Sequence, residues 1–499
     1  MRAGGGSRGG PGAREHGADG RAGQNGRMAG TGRHRIAIIG GGPGGYEAAV
    51  TGAQLGAEVT LIERQGVGGS AVLTDVVPSK SLIATAEAAT AIRDSGQLGV
   101  RFGSKAYSKP RISIDLAAVN RRLLGLAAAQ SADMRDQLDR AGVRILDAEG
   151  QLDGQRRVVA KVREGRRKRT IGEFDADTVI IATGATPRQL PTAKPDGERI
   201  LTWTQLYSIE SLPEHLVVVG SGVTGAEFAS AYRALGSRVT LVSSRDRVLP
   251  GEDRDAAVLL ERVFKRGGLE VLSKSRAESV VRTGDGVLVT LADGRTVEGT
   301  HCLLAVGSIP NTVGIGLDRA GVERTGSGHI RVNRVAHTTA HGVYAAGDCS
   351  DFLPLASVAA MQGRTAVFHA LGDFAQPTEL RNVTSNIFTQ PQIANVGWQE
   401  QDVKSGRVKG VVVKVPLAAN PRAKMQGIKD GFVKLITTTT TGQILGGLIV
   451  APNASELILS ISLAVEQRLT VDELAGAFSV YPSLTGSITD AARAAHIVP

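Results

Sequence analysis

Short continuous apolar runs recur along the chain, and each stops at a glycine. Ile36-Ala37-Ile38-Ile39 runs into Gly40, Val179-Ile180-Ile181-Ala182 into Thr183-Gly184, Leu216-Val217-Val218-Val219 into Gly220, and Val343-Tyr344-Ala345-Ala346 into Gly347. Runs of this length bounded by turn residues predict strands, with Val179–Ala182 a buried one. Ala-rich stretches around 81–93 and 115–141, and a further stretch at 354–371, predict helices. Residues 156–171 predict a hairpin turning at Glu164-Gly165. Its basic run Arg166-Arg167-Lys168-Arg169 reads as a solvated face, with a polyanion site as the lesser alternative. From about 379 the texture changes to strands at 432–436 and 444–450 mixed with a helix over 454–467, an α+β pattern that marks a separate domain.

Two of the strand ends carry chemistry. Gly40-Gly41-Gly42-Pro43-Gly44-Gly45 lies between the first strand and the small-residue run Tyr46-Glu47-Ala48-Ala49. In this strand–turn–helix unit Gly40 permits the tight turn, Gly42 lets a pyrophosphate approach the backbone, and Gly45 lets helix and strand pack closely. The phosphates then sit at the helix N-terminus. Glu63 ends the next strand, Val59-Thr60-Leu61-Ile62; a carboxylate there accepts from a ribose 2′-hydroxyl and repels a 2′-phosphate. Adding 180 to each position repeats the device at Gly220, Gly222 and Gly225, with Glu227, Leu235-Gly236 and Val239-Thr240-Leu241 also in step. Two dinucleotide units in one chain suggest electron transfer between two dinucleotides. The second unit has Ser243 where the first has Glu63, followed by Arg245 and Arg247. It lacks the carboxylate that excludes a 2′-phosphate and has two arginines nearby to bind one.

Composition adds limits. At 499 residues, 42% hydrophobic and 21% charged, the chain is an ordinary globular protein long enough for about three domains. Of the formal net charge of +10, four charges fall in residues 1–33, a Gly/Arg-rich segment without periodicity that is expected to be disordered. Met28, just before the first strand, is a candidate start. No recognition helix or base-stacking motif stands out, so nucleic acid is not an expected partner. Cys302 and Cys349 form neither CxxC nor metal spacing, and no metal is expected; this usage fits a reducing cytosol. No apolar run reaches the ~18 residues that span a bilayer.

In combination these motifs resemble the pyridine nucleotide–disulfide oxidoreductases, among them lipoamide dehydrogenase, glutathione reductase and mercuric reductase, from residue 34 to about 495. Gly40–Gly45 with Glu63 is similar to the family's FAD fingerprint, Ala182-Thr183-Gly184 to its second flavin motif, and Ala345-Ala346-Gly347-Asp348 to its third, whose aspartate holds the ribityl chain. Gly220–Gly225 is similar to its NAD(P)H site. Phe388-Thr389-Gln390-Pro391 and Ala454-Ser455-Glu456-Leu457 are similar to its dimerisation domain. The resemblance implies an α/β fold with two Rossmann-like, doubly wound dinucleotide-binding domains, FAD at 34–188 and 313–378 and NAD(P)H at 189–312. A C-terminal α+β dimerisation domain over 379–499 completes it. For FAD it implies Gly40, Gly42, Pro43 and Gly45, then Glu63 and Arg64, then Gly69, Ser70 and Lys80, then Ala182, Thr183 and Gly184, and finally Gly347 and Asp348. For NADPH or NADH it implies Gly220, Gly222, Val223, Gly225, Glu227, Ser243, Arg245, Arg247 and Gly307.

The departures are as informative. Family members carry a redox-active CxxxxC before Pro-Ser-Lys; here Ala71 and Val76 stand at those positions, and neither side chain can relay electrons. The family's His–Glu pair from the partner subunit is replaced by Tyr481 and Gly486 in Tyr481-Pro482-Ser483-Leu484-Thr485-Gly486. The thiol and the base that serves it are lost together. Lys80 and Glu227, which match the lysine beside the flavin and its carboxylate partner, are kept; a cation there stabilises an anionic reduced flavin. Val223 replaces a tyrosine that gates the nicotinamide pocket in some relatives. Cys349, beside Asp348, reads as a packed thiol. One subgroup shares this pattern of loss, the NAD(P)H:quinone reductases without the cysteine pair, and the expected activity follows: hydride from NAD(P)H to FAD, then two electrons to a quinone, in a cytoplasmic homodimer. Lys80, Glu227 and Tyr481 are the catalytic candidates. Tyr481 either donates a hydrogen bond to the quinone or fills the histidine's space in a core. A soluble NAD(P) transhydrogenase and a flavin-bound, non-catalytic sensor or interaction protein are the alternatives.

Overall fold

A computed structural model of the chain describes residues 32–100, 112–165 and 167–496; the expectations for the tail, Met28 included, and for Arg166 lie outside the described residues. The chain opens with β1 (Arg35–Ile39), α1 (Pro43–Gln54) and β2 (Glu58–Glu63), then α2 (Gly69–Leu73), α3 (Val76–Asp94) and α4 (Leu116–Arg140). β3 (Arg144–Asp147) follows, and then three antiparallel strands, β4 (Glu149–Leu152), β5 (Arg157–Glu164) and β6 (Arg167–Asp175). The expected hairpin over 156–171 is thus two strands of a three-stranded sheet. α3 starts five residues before the Ala-rich pattern does. Val76-Val77-Pro78 carries no helical signal, yet proline is tolerated in a first turn, where its missing N–H has no acceptor to lose.

β7 (Thr178–Ile181) closes the first unit, and β8 (Ala185–Pro187) leads to β9 (Ile200–Thr202). The second unit comprises β10 (His215–Val219), α5 (Val223–Leu235), β11 (Arg238–Val242), α6 (Arg254–Arg266) and β12 (Glu270–Leu272). It continues through the antiparallel β13 (Ala277–Thr283), β14 (Gly286–Leu291) and β15 (Thr296–Gly299) to β16 (His301–Leu304). β17 (Ser308–Pro310) pairs back onto β8, so the chain leaves and re-enters the first unit side by side. α7 (Leu317–Ala320), β18 (Val343–Ala345) and α8 (Ala356–Ala370) complete that unit.

The two five-stranded parallel sheets run β18-β7-β1-β2-β3 and β12-β11-β10-β16-β9. In each, the strand that ends at the glycine turn is central and pairs on both sides, which is why its sequence is apolar without alternation. Ile36 to Ile39 and Leu216 to Val219 are all buried, each worth about 1.5–3 kcal/mol for a large side chain. The buried face of α1 is built from Gly44, Gly45, Ala48, Ala49 and Gly52, because α8 crosses it closely: a Cβ on Gly363 would lie 2.1 Å from the Gly44 carbonyl oxygen.

The C-terminal part is a third, antiparallel sheet in the order β19-β20-β23-β22-β21: β19 (Ser385–Ile387), β20 (Gln392–Gly397), β21 (Val411–Pro416), β22 (Phe432–Thr437) and β23 (Ile444–Ala451). With it go α9 (Glu400–Lys404), α10 (Pro421–Met425), α11 (Ala454–Glu466), α12 (Val471–Gly476) and α13 (Gly486–Ala494). One apolar core runs through all three parts: Leu82 and Leu123 of the first unit, Leu216, Phe228 and Tyr232 of the second, and Ile393, Phe432 and Val450 of the third. Among the described residues no helix is long and apolar enough to cross a membrane.

Candidate active site

The three flavin-like motifs meet at the C-terminal ends of β1, β7 and β18. Ala182 N–H donates to the Ile39 carbonyl at 2.8 Å, and Ala346 N–H to the Ile181 carbonyl at 2.9 Å. Gly40, at φ 102°, passes so close to β7 that a Cβ would lie 2.3 Å from the Ala182 oxygen, and a Cβ on Gly45 would lie 1.9 Å from the Gly40 oxygen. Gly42 differs: a Cβ there would meet no atom within 4 Å. It is the N-cap of α1, without a side-chain cap, and Pro43 follows at the first helical position. The free first-turn N–H groups of Gly44 and Gly45 therefore face an approachable space, and these residues fit a pyrophosphate. Thr183 Oγ1 donates to the Asn311 carbonyl at 2.8 Å and Asn311 Nδ2 to the Thr183 carbonyl at 2.9 Å, tying the second motif to the segment returning from the second unit.

The second unit repeats this geometry: a Cβ on Gly220 would lie 2.2 Å from the Ala305 oxygen, one on Gly225 1.8 Å from the Gly220 oxygen, and one on Gly222 would meet nothing within 4 Å. The acid position is where the two differ. Glu63 is buried and accepts from Gly41 N at 2.6 Å and Gln65 N at 2.7 Å, so its carboxylate braces its own glycine loop. At the corresponding pair, Ser221 and Ser243 share a 2.7 Å hydroxyl–hydroxyl bond, and Ser243 is fully buried. Ser243 thus shapes the loop rather than facing solvent. Arg245 is exposed; Arg247 is half-buried, with Nη1 on Asp246 at 3.0 Å and Nη2 on the Pro250 carbonyl at 3.1 Å. Of the two expected anion binders, the Arg245 guanidinium has no hydrogen-bond or ion-pair partner among the described residues, and Arg247 is engaged in the loop itself. Val223 opens α5 and is exposed.

Lys80 and Glu227 come together at the junction of all three parts. Lys80 Nζ donates to Glu227 Oε2 at 2.7 Å; Glu227 Oε1 accepts from the Phe388 N–H at 2.8 Å; and the Lys80 ammonium lies 4.8 Å from the centre of the Phe388 ring. Glu227 is buried while Lys80 keeps 28% of its side chain exposed, so the carboxylate is fixed and the ammonium tip remains available. Neither residue is the unpaired surface charge that a helix face would offer. Upstream on the same wall Val72 is buried and Val76 exposed, which puts aliphatic carbon at the start of α3. Asp75, between Val72 and Val76 in the chain, belongs to no motif, and its carboxyl is pushed up to about 6 by burial, with Lys80 opposing and Glu227 and Asp348 adding. The available signal was an aspartate three residues before a proline, a cap position without the usual donor.

Asp348 lies beyond Gly347, whose φ is 80° and whose N–H donates to Gln362 Oε1 at 2.8 Å; burial raises the Asp348 carboxyl and His329 opposes it. Cys349 is fully buried with Sγ 3.4 Å from the Ala346 carbonyl oxygen, and burial raises its thiol, as it does that of the equally buried Cys302. Both are packed thiols. Tyr481 does not fill a core of its own subunit: it is 82% exposed, beside exposed Val480 and Phe478.

The matches to known proteins follow the same division. Residues 34–363 match the family model described as pyridine nucleotide-disulphide oxidoreductase, and residues 383–492 match the dimerisation domain of the same family. The chain belongs to this family. It is 50% identical over 468 residues to a protein from Mycobacterium tuberculosis strain H37Rv named NAD(P)H dehydrogenase (quinone), covering 92% of this chain and 93% of that protein. It is 32% identical over 464 residues to the dihydrolipoyl dehydrogenase of Chlorobaculum parvum, covering 92% of this chain and 96% of that one. Among solved structures, LpdA from Mycobacterium tuberculosis superposes with a TM-score of 0.87 at 49% identity, covering 93% of this chain and all of that one. Family membership carries binding of a flavin and a pyridine nucleotide in general terms.

Proposed function

We propose that the protein is an FAD-dependent NAD(P)H:quinone oxidoreductase that works without a redox-active disulfide. One observation carries this reading: the Lys80–Glu227 pair is intact at 2.7 Å on a wall where Ala71 and Val76 replace both redox cysteines. The relative at 50% identity, named for quinone chemistry, supports it. In this reading residues 34–188 and 313–378 hold FAD, residues 189–312 hold the nicotinamide nucleotide, and residues 379–499 pair two subunits. The bound flavin supplies the chemistry of accepting a hydride and passing on two electrons. The protein's own contribution is positional and electrostatic. Gly42, Pro43 and the first turn of α1 hold the pyrophosphate, Glu63 the ribose and Asp348 the ribityl hydroxyls. Gly222, the first turn of α5 and Arg245 hold NADPH or NADH.

Lys80 Nζ places a positive charge where the reduced cofactor gains negative charge; Glu227 and the Phe388 N–H fix its position. Ala71, Val72 and Val76 offer an apolar slot suited to a planar acceptor. The exposed Phe478–Tyr481 segment belongs to the subunit interface, and Tyr481 reaches the partner's acceptor site as a hydrogen-bond donor. Two buried reduced thiols suit a reducing cytoplasm. The test is steady-state oxidation of NADPH with menadione-like and benzoquinone-like acceptors beside an oxygen-only control. Quinones should raise turnover well above the oxygen rate. A rise with NADP⁺ analogues and none with quinones makes the protein a transhydrogenase instead.

A further inference from the structure

Asp75 has no part in the reading above, and its surroundings suit it to one. It is the N-cap of α3, where a carboxylate ordinarily accepts from the N–H of the second or third helical residue. The third residue here is Pro78, which has no N–H, and Asp75 makes no capping hydrogen bond. The cation on its own helix, Lys80, is committed to Glu227 at 2.7 Å. The carboxyl is thus not consumed by local structure. It also directly precedes Val76, one of the two positions where the family keeps its cysteines, and so borders the slot assigned to the acceptor.

The charged groups that act on it are Lys80 on α3, Glu227 on α5 and Asp348 after β18, and its own charge acts on Tyr207. Tyr207 lies in the 3₁₀ turn Trp203–Ser208, near Ser79 and Tyr232. The Tyr207 and Tyr232 hydroxyls are both buried without a hydrogen-bond partner among the described residues. Next to the position assigned to the acceptor there is therefore a half-buried carboxyl without a capping partner, free to hold a proton. Burial raises that carboxyl to about 6, into the range where an acid works near neutral pH.

Reduction of a quinone to a hydroquinone takes two electrons and two protons. The hydride from the nicotinamide accounts for both electrons and one proton, which leaves one proton to be supplied. We propose that Asp75 supplies it: the carboxyl O–H bond breaks, an O–H bond forms on the acceptor oxygen, and the carboxylate is reprotonated from water. This step rests on the quinone-reductase reading. It also accounts for the loss of the partner's His–Glu pair, since the acid is now within the same chain.

The test compares wild type, Asp75→Asn and Asp75→Glu as flavin-loaded enzymes, normalised to bound flavin. Anaerobically reduced enzyme is mixed with a menadione-like quinone, which needs protons, and with ferricyanide, which takes electrons alone. In D75N, reoxidation by quinone should slow on the order of a hundredfold while reoxidation by ferricyanide slows far less, and D75E should recover much of the quinone rate. Independently of turnover, carbon-13 NMR of labelled aspartate carboxyls should show one group titrating near 6 in wild type and missing in D75N. Equal slowing with both acceptors, an unslowed quinone rate, or an Asp75 titration in the ordinary aspartate range overturns the proposal while leaving quinone reduction by wild type in place. A wild type that quinone does not reoxidise removes the quinone reading and this step with it.

Discussion

Single residues separate the two dinucleotide sites more sharply than the fold does. Glu63 and Ser243 occupy matching positions, yet one is a carboxylate that braces its loop through backbone N–H groups and the other a buried hydroxyl bonded to Ser221. The second site thereby loses a negative charge where a 2′-phosphate would lie, and Arg245 stands exposed on the loop beyond. Because a charge-assisted contact is worth about 1.5–3 kcal/mol, Arg245→Ala should raise the Michaelis constant for NADPH on the order of tenfold and leave that for NADH nearly unchanged. Equal effects on the two nucleotides in steady-state assays would remove Arg245 from this role. The Asp75 carboxyl also marks stability. Its folded-state pKa lies above the ordinary aspartate value, so between about 4 and 6 the folded chain binds more protons than the unfolded one, and stability falls as pH rises through that window. Relative to D75N, the wild type should therefore lose on the order of 2–3 kcal/mol between pH 4 and 7 in urea unfolding. A pH-independent difference between the two would show that burial does not raise this carboxyl.

At the scale of elements, the two strand–glycine–helix units were legible in the sequence because each lies within one continuous stretch of about thirty residues. An apolar run ending in glycine, small residues on the next helix and an acid after the next strand are all local signals. The geometry divides the glycines in a way the motif alone does not. Gly45 and Gly225 are required by packing, with a Cβ less than 2 Å from a carbonyl oxygen, whereas Gly42 and Gly222 border open space. Gly45→Ala should therefore destabilise the protein by about 1–3 kcal/mol or more, seen as a lower thermal midpoint even without nucleotide. Gly42→Ala should keep the fold and lose FAD, read from the flavin absorbance of the purified protein. A Gly42→Ala protein that retains full flavin would contradict the phosphate assignment. What the sequence did not disclose depends on distant partners. The β8–β17 pairing joins positions more than a hundred residues apart, Glu227 finds Phe388 only in the fold, and Asp75 becomes notable only once its neighbours are known.

For the whole molecule, the two dinucleotide units and the C-terminal sheet are locked into one frame. The shared apolar core does part of this, and a buried ion cluster ties the C-terminal sheet to the second unit: Lys434 of that sheet, almost fully buried, donates to Asp253 at 2.8 Å, lies 3.3 Å from Asp255 and bonds Glu400. Burial opposes its charge, but these carboxylates outweigh it and raise the ammonium above its ordinary value. Lys434→Met leaves the buried Asp253 without its cation, while Asp255 keeps Lys414 and Glu400 keeps Lys404, and should cost about 3–5 kcal/mol in denaturant unfolding; a change below 1 kcal/mol would show that the cluster does not join the C-terminal sheet to the second unit. In this frame Lys80, Glu227 and Phe388 meet from all three parts, and the chain carries no dithiol beside them. The central claim is that electrons leave the flavin directly for a quinone. Enzyme reduced anaerobically with one equivalent of NADPH and mixed in a stopped-flow cell with a menadione-like quinone, or with lipoamide, tests it most directly. The oxidised flavin spectrum should return rapidly with the quinone and not with lipoamide; return with lipoamide, or none faster with quinone than in buffer alone, would contradict the account.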